Sequence, residues 1–137
     1  MSDQSAGFLI GYDLGSSSIK ATLVYAANGE VLGSASSPEQ EMPMKAEQEG
    51  WAEQDPAMWW EHIIKATQKL KEKHADALAK LEAIGISYQM HGLVLVDKNH
   101  EVLRPSIIWC DSRAVGIGKK AFEALGSDYS LGHLLNS

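Results

Sequence analysis

The chain has 137 residues with a formal net charge of −6, and 45% of its residues are hydrophobic, which suffices for one globular domain with a core. General nucleic-acid and membrane-surface binders need a basic face, so this acidic balance argues against both. No apolar run approaches the roughly eighteen residues of a transmembrane helix, and we expect no signal peptide. The single cysteine, Cys110, permits no internal disulfide and fits a cytoplasmic location.

The chain is expected to begin with a flexible tail, Met1–Gly7, followed by a β-hairpin. Apolar runs predict its strands at Phe8–Asp13 and Ser18–Tyr25, joined by a turn rich in Gly and Ser. The dipeptide Asn28–Gly29 is a strong turn signal, so Val31–Ser36 is predicted as a third antiparallel strand. This local, up-down-up arrangement predicts an N-terminal three-strand meander.

The hairpin turn has the composition of an anion site. It holds four residues with small or hydroxyl side chains, Gly15, Ser16, Ser17 and Ser18. Converging backbone N–H groups bind anions, but the carboxylate of Asp13 would repel a bare phosphate. A Mg²⁺ ion between the two would remove that conflict, and Lys20 adds a positive charge. The turn therefore predicts a site for Mg²⁺–nucleotide phosphates, and an ordinary polar turn remains the alternative.

A long helix is predicted next, over Pro56–His74. Asp55 suits the N-cap, and proline suits the first helical position. Apolar residues recur at helical spacing and predict a buried stripe of Trp59, Ile63, Ala66 and Leu70. A short amphipathic link, Ala75–Leu81, is expected to follow, with room for one more helical turn.

The remaining sequence predicts further strands and a second helix. In chain order, these are a strand at Glu82–Tyr88, a strand buried on both faces at Leu93–Val96, a turn at Asp97–Glu101, a strand at Ser106–Trp109, and a helix at Arg113–Leu125. Asp111 or Ser112 is expected to cap that helix, and Gly126 to close it. Three strands, a helix, more strands and a helix make a mixed α/β layer.

Two short segments carry candidate ligand contacts. In Gln89-Met90-His91-Gly92, the glycine permits a sharp turn, and the Gln and His side chains suit a polyhydroxylated ligand at a strand end. A buried histidine satisfied by the backbone is the alternative. In Trp109-Cys110-Asp111-Ser112-Arg113, an indole face beside an Asp–Arg pair suits a sugar. A core tryptophan followed by a helix cap and its ion pair is the alternative.

These segments resemble a known family. The stretch GYDLGSSSIKATL resembles the first phosphate hairpin of the actin-like ATPase superfamily. ISYQMHGLVLVD and VLRPSIIWCDSRA resemble the FGGY family of carbohydrate kinases, and within it the xylulokinase branch. The resemblance implies an actin-like ATPase (ribonuclease H-like) fold, an α/β domain with a mixed sheet and flanking helices. It also implies that residues 8–137 are the N-terminal part of the first domain of a longer, two-domain kinase.

The resemblance assigns roles by position. It implies that Asp13 lies near Mg²⁺ and the reacting phosphate, and that the phosphate site is lined by Gly15, Ser16, Ser17, Ser18 and Lys20. It implies that Met90 and His91 contact a ketose, with Gln89, Trp109, Asp111 and Arg113 near the same pocket. Cys110 and Ser112 depart from the commoner Asn and Gly in that motif, which leaves the substrate open.

The implied activity is phosphorylation of a sugar by ATP with Mg²⁺, with D-xylulose the first candidate. Ribulose, gluconate and glycerol stay open as substrates, and an actin- or chaperone-like ATPase is the alternative from another class. The expected partners are a small sugar and ATP, without nucleic acid or membrane. The resemblance places the catalytic base and the adenine pocket beyond Ser137, so this chain alone is expected to be inactive. A homodimer or self-association is also expected.

Overall fold

A computed structural model describes residues 7–134, so most of the predicted N-terminal tail lies outside the described residues. The strands are β1 (Phe8–Leu14), β2 (Ile19–Tyr25), β3 (Val31–Ser37), β4 (Glu53–Gln54), β5 (Leu81–Tyr88) and β6 (Ser106–Ile107). The helices are α1 (Pro56–Leu78), α2 (Val115–Leu125) and a short turn, α3 (Ser127–Tyr129), which continues as a π-helical segment, Ser130–Leu134. No helix among residues 7–134 combines the length and the apolar character needed to cross a membrane.

The main sheet is mixed, with strand order β3-β2-β1-β5. β1, β2 and β3 form the predicted antiparallel meander, and β5 pairs with β1 in parallel. Parallel neighbours need a crossover connection, which α1 supplies. The turn predicted from Asn28–Gly29 is confirmed between β2 and β3. Gly29 has φ 77°, and the Tyr25 amide donates to the Glu30 carbonyl at 2.8 Å.

α1 begins as its sequence predicts and ends later. The Asp55 carboxylate accepts from the Ala57 amide at 2.9 Å, with Pro56 at the first helical position. His74 has non-helical backbone angles, φ −135° and ψ 36°, yet the helix resumes and ends at Leu78. The predicted link after His74 is therefore largely one more helical turn.

The core lies between α1 and one face of the sheet. It joins the buried residues Ile10, Ala21 and Leu23 of the sheet with Ala66, Leu70 and Ala77 of α1. The predicted stripe on α1 is confirmed at Ala66 and Leu70, whereas Trp59 and Ile63 are half-buried. The buried polar residue His62 also faces the sheet, where its Nδ1 lies 2.9 Å from the Ser37 hydroxyl.

A second, two-stranded sheet was not predicted. β4 pairs antiparallel with β6, with Glu53 opposite Ile107 and Gln54 opposite Ser106. The prediction of a strand over Ser106–Trp109 is confirmed for its first two residues. Trp109 lies beyond the strand and is 59% exposed.

Two predictions in the second half are wrong. Leu93–Val96 forms only isolated bridges, Leu93 with Ile107 and Val96 with Val102, and its side chains are 42–50% exposed. An apolar run indicates a buried strand only if other layers cover both faces, and none does so here. The expected cap of α2 is also absent, because that helix begins at Val115 after Ala114, without a side-chain cap bond.

Candidate functional site

The hairpin turn between β1 and β2 is closed by one backbone hydrogen bond. The Gly15 amide donates to the Ser18 carbonyl at 3.1 Å. A Cβ atom on Gly15 would lie 3.1 Å from the same oxygen, closer than side chains normally come to a carbonyl, so glycine suits this position. Gly15 thereby permits the tight geometry that places Ser16 and Ser17 at the tip.

The carbonyl groups of this turn are held by the protein. The side-chain amide of Gln54 donates to the Ser16 carbonyl at 2.7 Å, and the Met42 amide donates to the Ser17 carbonyl at 2.8 Å. No acceptor within residues 7–134 takes the amide hydrogen of Ser16 or Ser17. Donors without a protein partner at a turn tip are suited to an anion, as the sequence predicts.

Asp13 is the second-to-last residue of β1, and its side chain lies on the face of the sheet opposite α1. The two faces are distinguished by Tyr12, whose hydroxyl lies 2.6 Å from the Thr67 hydroxyl on α1. Successive side chains in a strand point to opposite faces, so Asp13 points away from the helix and is exposed. Its register partners are Lys20 on β2 and Ser87 on β5, which share that face.

The donor set fits a magnesium ion that arrives with a nucleotide. Residues 7–134 contain no group of three His, Cys, Asp or Glu side chains that could hold a metal ion alone. Mg²⁺ in phosphoryl-transfer sites is usually held by one or two carboxylates, phosphate oxygens and waters. One exposed carboxylate, Asp13, beside a turn with amide donors unpartnered within residues 7–134, fits that requirement.

The segment Gln89–Gly92 meets the hairpin turn at the end of the sheet. The backbone N–H of Gln89 donates to the Leu14 carbonyl at 2.8 Å, and this hydrogen bond holds the segment next to Gly15. His91 has φ 64°, so the chain turns sharply there. A cavity of about 240 Å³ opens at this point, lined by Leu14, Trp59, Tyr88, Gln89, His91, Gly92 and Val94.

One feature of this cavity suits a hydroxylated ligand. The side-chain oxygen of Gln89 is buried without a hydrogen-bond partner among the described residues. An unpaired buried acceptor is costly, and a ligand hydroxyl would satisfy it. Met90, in contrast, is 68% exposed and does not line the cavity.

Trp109 reaches the same turn from the second sheet. Its indole nitrogen lies 3.4 Å from the Ser16 hydroxyl, and most of its ring is exposed. The structure therefore brings Trp109 to the hairpin turn, and Gln89 and His91 to Leu14 beside it.

Asp111 and Arg113 do not line the cavity at Leu14 and instead bind each other and the backbone. One Asp111 oxygen accepts from the Ala52 amide and from the Arg113 guanidinium, each at 2.7 Å, and the other accepts from the Arg113 amide at 2.9 Å. The guanidinium lowers the pKa of Asp111 from 3.8 to about 2, and the two backbone amides add to this effect. Of the structural alternative, the structure shows the ion pair but neither a core tryptophan nor a helix cap, and sugar contact by these two residues stays a prediction.

The same network includes residues that the motif reading did not single out. The Arg113 guanidinium lies 3.9 Å from the Trp51 ring and 2.7 Å from the buried carboxylate of Glu53, which also pairs with Arg104. Gln54, next in the chain, holds Ser16. A charged and an amide residue directly before a helix cap gave only a weak signal, because their partners lie far along the chain.

Comparison with known proteins gives one family. Residues 8–131 match the N-terminal domain of the FGGY family of carbohydrate kinases. The xylulose kinase of Escherichia coli K12 is 38% identical over 104 residues, which are 76% of this chain and 20% of that protein. The chain therefore spans about a fifth of the length of this curated relative.

Solved structures agree. A ligand-bound xylulose kinase from Lactobacillus acidophilus superposes with a TM-score of 0.75 at 29% identity, covering 87% of this chain and 23% of that one. A gluconate kinase from the same species gives a TM-score of 0.76 at 30% identity, covering 88% and 23%. The predicted actin-like ATPase fold, with its mixed sheet and flanking helices, is thus confirmed.

Proposed function

Because this chain belongs to the FGGY family of carbohydrate kinases, we propose that it forms the N-terminal part of an enzyme that phosphorylates D-xylulose with ATP. The observation that carries the proposal is the meeting of two segments at one sheet end. The turn Gly15–Ser18 offers amide donors beside Asp13, and Gln89 and His91 line a cavity at Leu14. We place this enzyme in the cytoplasm, where ATP is available and the free Cys110 stays reduced.

Phosphoryl transfer depends on positioning and charge neutralisation. In this proposal the amides of the turn, together with Lys20, hold the nucleotide phosphates. Asp13 holds Mg²⁺, which when bound neutralises charge on the transferred phosphate. Gln89 and His91 orient the ketose by hydrogen bonds to its hydroxyls, and the exposed ring of Trp109 packs on its C–H face.

The resemblance to sugar kinases implies that the base that takes the proton from the attacking hydroxyl lies outside this chain. Asp55 caps α1, Asp97 accepts from the amides of Asn99 and Glu101 in its turn, and Asp111 is paired with Arg113. These three carboxylates accept hydrogen bonds within the chain, and Asp13 is assigned to the metal. Loss of a positioned base costs about 10²–10⁴-fold in rate.

The test is a coupled ADP-release assay with Mg²⁺–ATP and a sugar panel. For an enzyme that carries this chain as its N-terminal segment, D-xylulose is expected to stimulate ADP release more than D-ribulose, gluconate or glycerol. The 137-residue chain alone is expected to show no turnover above its Asp13→Ala variant. Turnover by the wild-type chain above that background would contradict the assignment of the base.

Two other functions make different predictions in the same assay. A gluconate kinase is supported by the similarity to the Lactobacillus acidophilus enzyme, and it would respond to gluconate instead of D-xylulose. An actin- or chaperone-like ATPase would release ADP at the same rate with and without sugar, and this result would overturn the kinase proposal.

A further inference from the structure

Gln54 is a buried amide that uses both ends of its side chain. It is 2% exposed, its nitrogen donates to the Ser16 carbonyl at 2.7 Å, and its oxygen accepts from the Trp59 indole at 3.1 Å. A second, longer contact runs from the same nitrogen to the Pro43 carbonyl at 3.4 Å. Both ends are thus fixed, so the side chain has one orientation.

The bond to Ser16 also fixes a neighbouring amide. In a planar trans peptide, the C=O of one residue and the N–H of the next point in opposite directions. With the Ser16 carbonyl directed at Gln54, the Ser17 N–H is directed away from it. The Met42 amide acts likewise on the Ser17 carbonyl, and so on the N–H of Ser18. Two turn amides are therefore oriented before any ligand arrives.

The strand that carries Gln54 is anchored on its other side. Consecutive residues of a strand point to opposite faces, and Glu53 pairs with Arg113 at 2.7 Å and with Arg104. Glu53 is 7% exposed, so this ion-pair network is buried at the carboxylate. β4 thus joins the hairpin turn to the loop that leads from Trp109 into α2.

We infer that Gln54 is a positioning residue for the phosphate turn, an inference that rests on the proposed use of this turn for nucleotide phosphates. Gln54 aims the Ser17 amide at the ligand without touching the ligand itself. Its loss would leave the turn residues in place but free the peptide plane between Ser16 and Ser17 to rotate, while the Met42 amide still holds the next plane. Preorganised donors bind more tightly than mobile ones, so affinity for ATP falls when Gln54 is replaced.

The direct test uses the 137-residue chain and nuclear magnetic resonance. Gln54→Met keeps the side-chain length and removes the hydrogen bonds. The matched control, Thr67→Val, removes the partner of the Tyr12 hydroxyl on the other face of the sheet. We expect lower order of the Ser17 amide in Gln54→Met than in Thr67→Val, and less change at Ser18, whose peptide plane the Met42 amide still holds. Equal order in the two variants would overturn the inference.

A measurement on the wild-type chain covers the case in which Gln54→Met does not fold. A nuclear Overhauser contact between the Gln54 side-chain amide and the backbone of Ser16 or Ser17 is expected, since the donor lies 2.7 Å from the Ser16 carbonyl. The absence of this contact would overturn the inference whatever the variants do.

Kinetics then separates this inference from the proposed function. In an enzyme carrying the chain, Gln54→Met is expected to raise KM for ATP about 3- to 10-fold, with a smaller change in KM for the sugar. An unchanged KM for ATP would contradict the positioning role alone. An inactive wild-type enzyme would contradict the proposed function, while the resonance measurements would still decide the role of Gln54.

Discussion

Residues 7–80 and residues 81–134 differ in how fully they bury their apolar side chains. The first region packs α1 onto the hairpin sheet and buries Ile10, Leu23 and Leu70 to 3% exposure or less. In the second region, Ile108 is buried, but Ile86 of β5 is 62% exposed, and α2 has no buried residue. The two regions carry similar apolar patterns, so the difference lies in the layers available to cover them.

An apolar pattern in the sequence shows which face of a strand or helix is apolar. It does not show whether another element packs on that face. α1 covers β2 and β3 and contacts β1 only slightly, which leaves the β5 edge of the sheet without a helix. Large exposed apolar patches usually mark interfaces. We propose that a second copy of this chain covers the strip formed by Ile84, Ile86 and Tyr88.

The largest effect is expected at an exposed residue of the well-packed region. Asp13→Ala in an enzyme carrying this chain should lower turnover by about 10²–10³-fold. The reason is that Asp13 is proposed to hold the Mg²⁺ that would neutralise charge on the reacting phosphate. Stability should change little, since the side chain is exposed. The control is Glu30→Ala, an exposed carboxylate in the β2–β3 turn. Near wild-type turnover of Asp13→Ala at saturating Mg²⁺–ATP would remove the assignment.

The packing contrast itself can be measured by denaturant unfolding. Leu70→Ala empties a buried site and should lower the free energy of unfolding by about 2–5 kcal/mol. At concentrations where the chain is monomeric, Ile86→Ala removes an exposed side chain and should change the free energy of unfolding by no more than about 0.5 kcal/mol. Similar losses for both variants would show that β5 is covered even in the monomer.

His91 tests the sugar contact assigned to the exposed region. In the enzyme, His91→Ala should weaken ketose binding by about 0.5–1.5 kcal/mol with little change in ATP affinity, because one hydrogen bond to a hydroxyl is lost. His100→Ala is a matched control, since His100 also has a positive φ, 66° against 64°. Equal weakening of both ligands would indicate a structural histidine.

The exposed strip predicts self-association of the chain. Edge strands with apolar side chains pair with other chains, so light scattering should show oligomers that grow with concentration. Ile86→Lys should shift the chain toward monomer, whereas Ser34→Lys on the opposite edge strand, β3, should not. A monomer at all concentrations would argue that the strip needs no partner.

The smallest effect expected is in acid stability. The folded pKa of Asp111 is lowered to about 2 from 3.8, chiefly by the Arg113 guanidinium. A lowered folded pKa gives stability that is present above about pH 4 and is lost as the pH falls toward 2. Asp111→Asn should therefore be less stable at neutral pH and should lose less between pH 4 and 2. Parallel pH profiles would show that this pair does not contribute.

The sequence by itself determined the features that depend on near neighbours. The meander, the Asn28–Gly29 turn and the Asp55 cap are local, so a few residues specify each of them. The hairpin and the segment from Gln89 to Gly92 were also predicted from their residues as candidate site segments, and the structure brings them together at one sheet end.

Tertiary structure decided which side chains those segments meet. Gln54 holds Ser16 across 38 positions, and Asp111 binds the Ala52 amide across 59 positions instead of capping α2. The exposure of Leu93–Val96 likewise depends on which layers pack nearby. Such pairings are set by how α1 and the two sheets fold together, and residue type at one position carries little information about a partner so far along the chain.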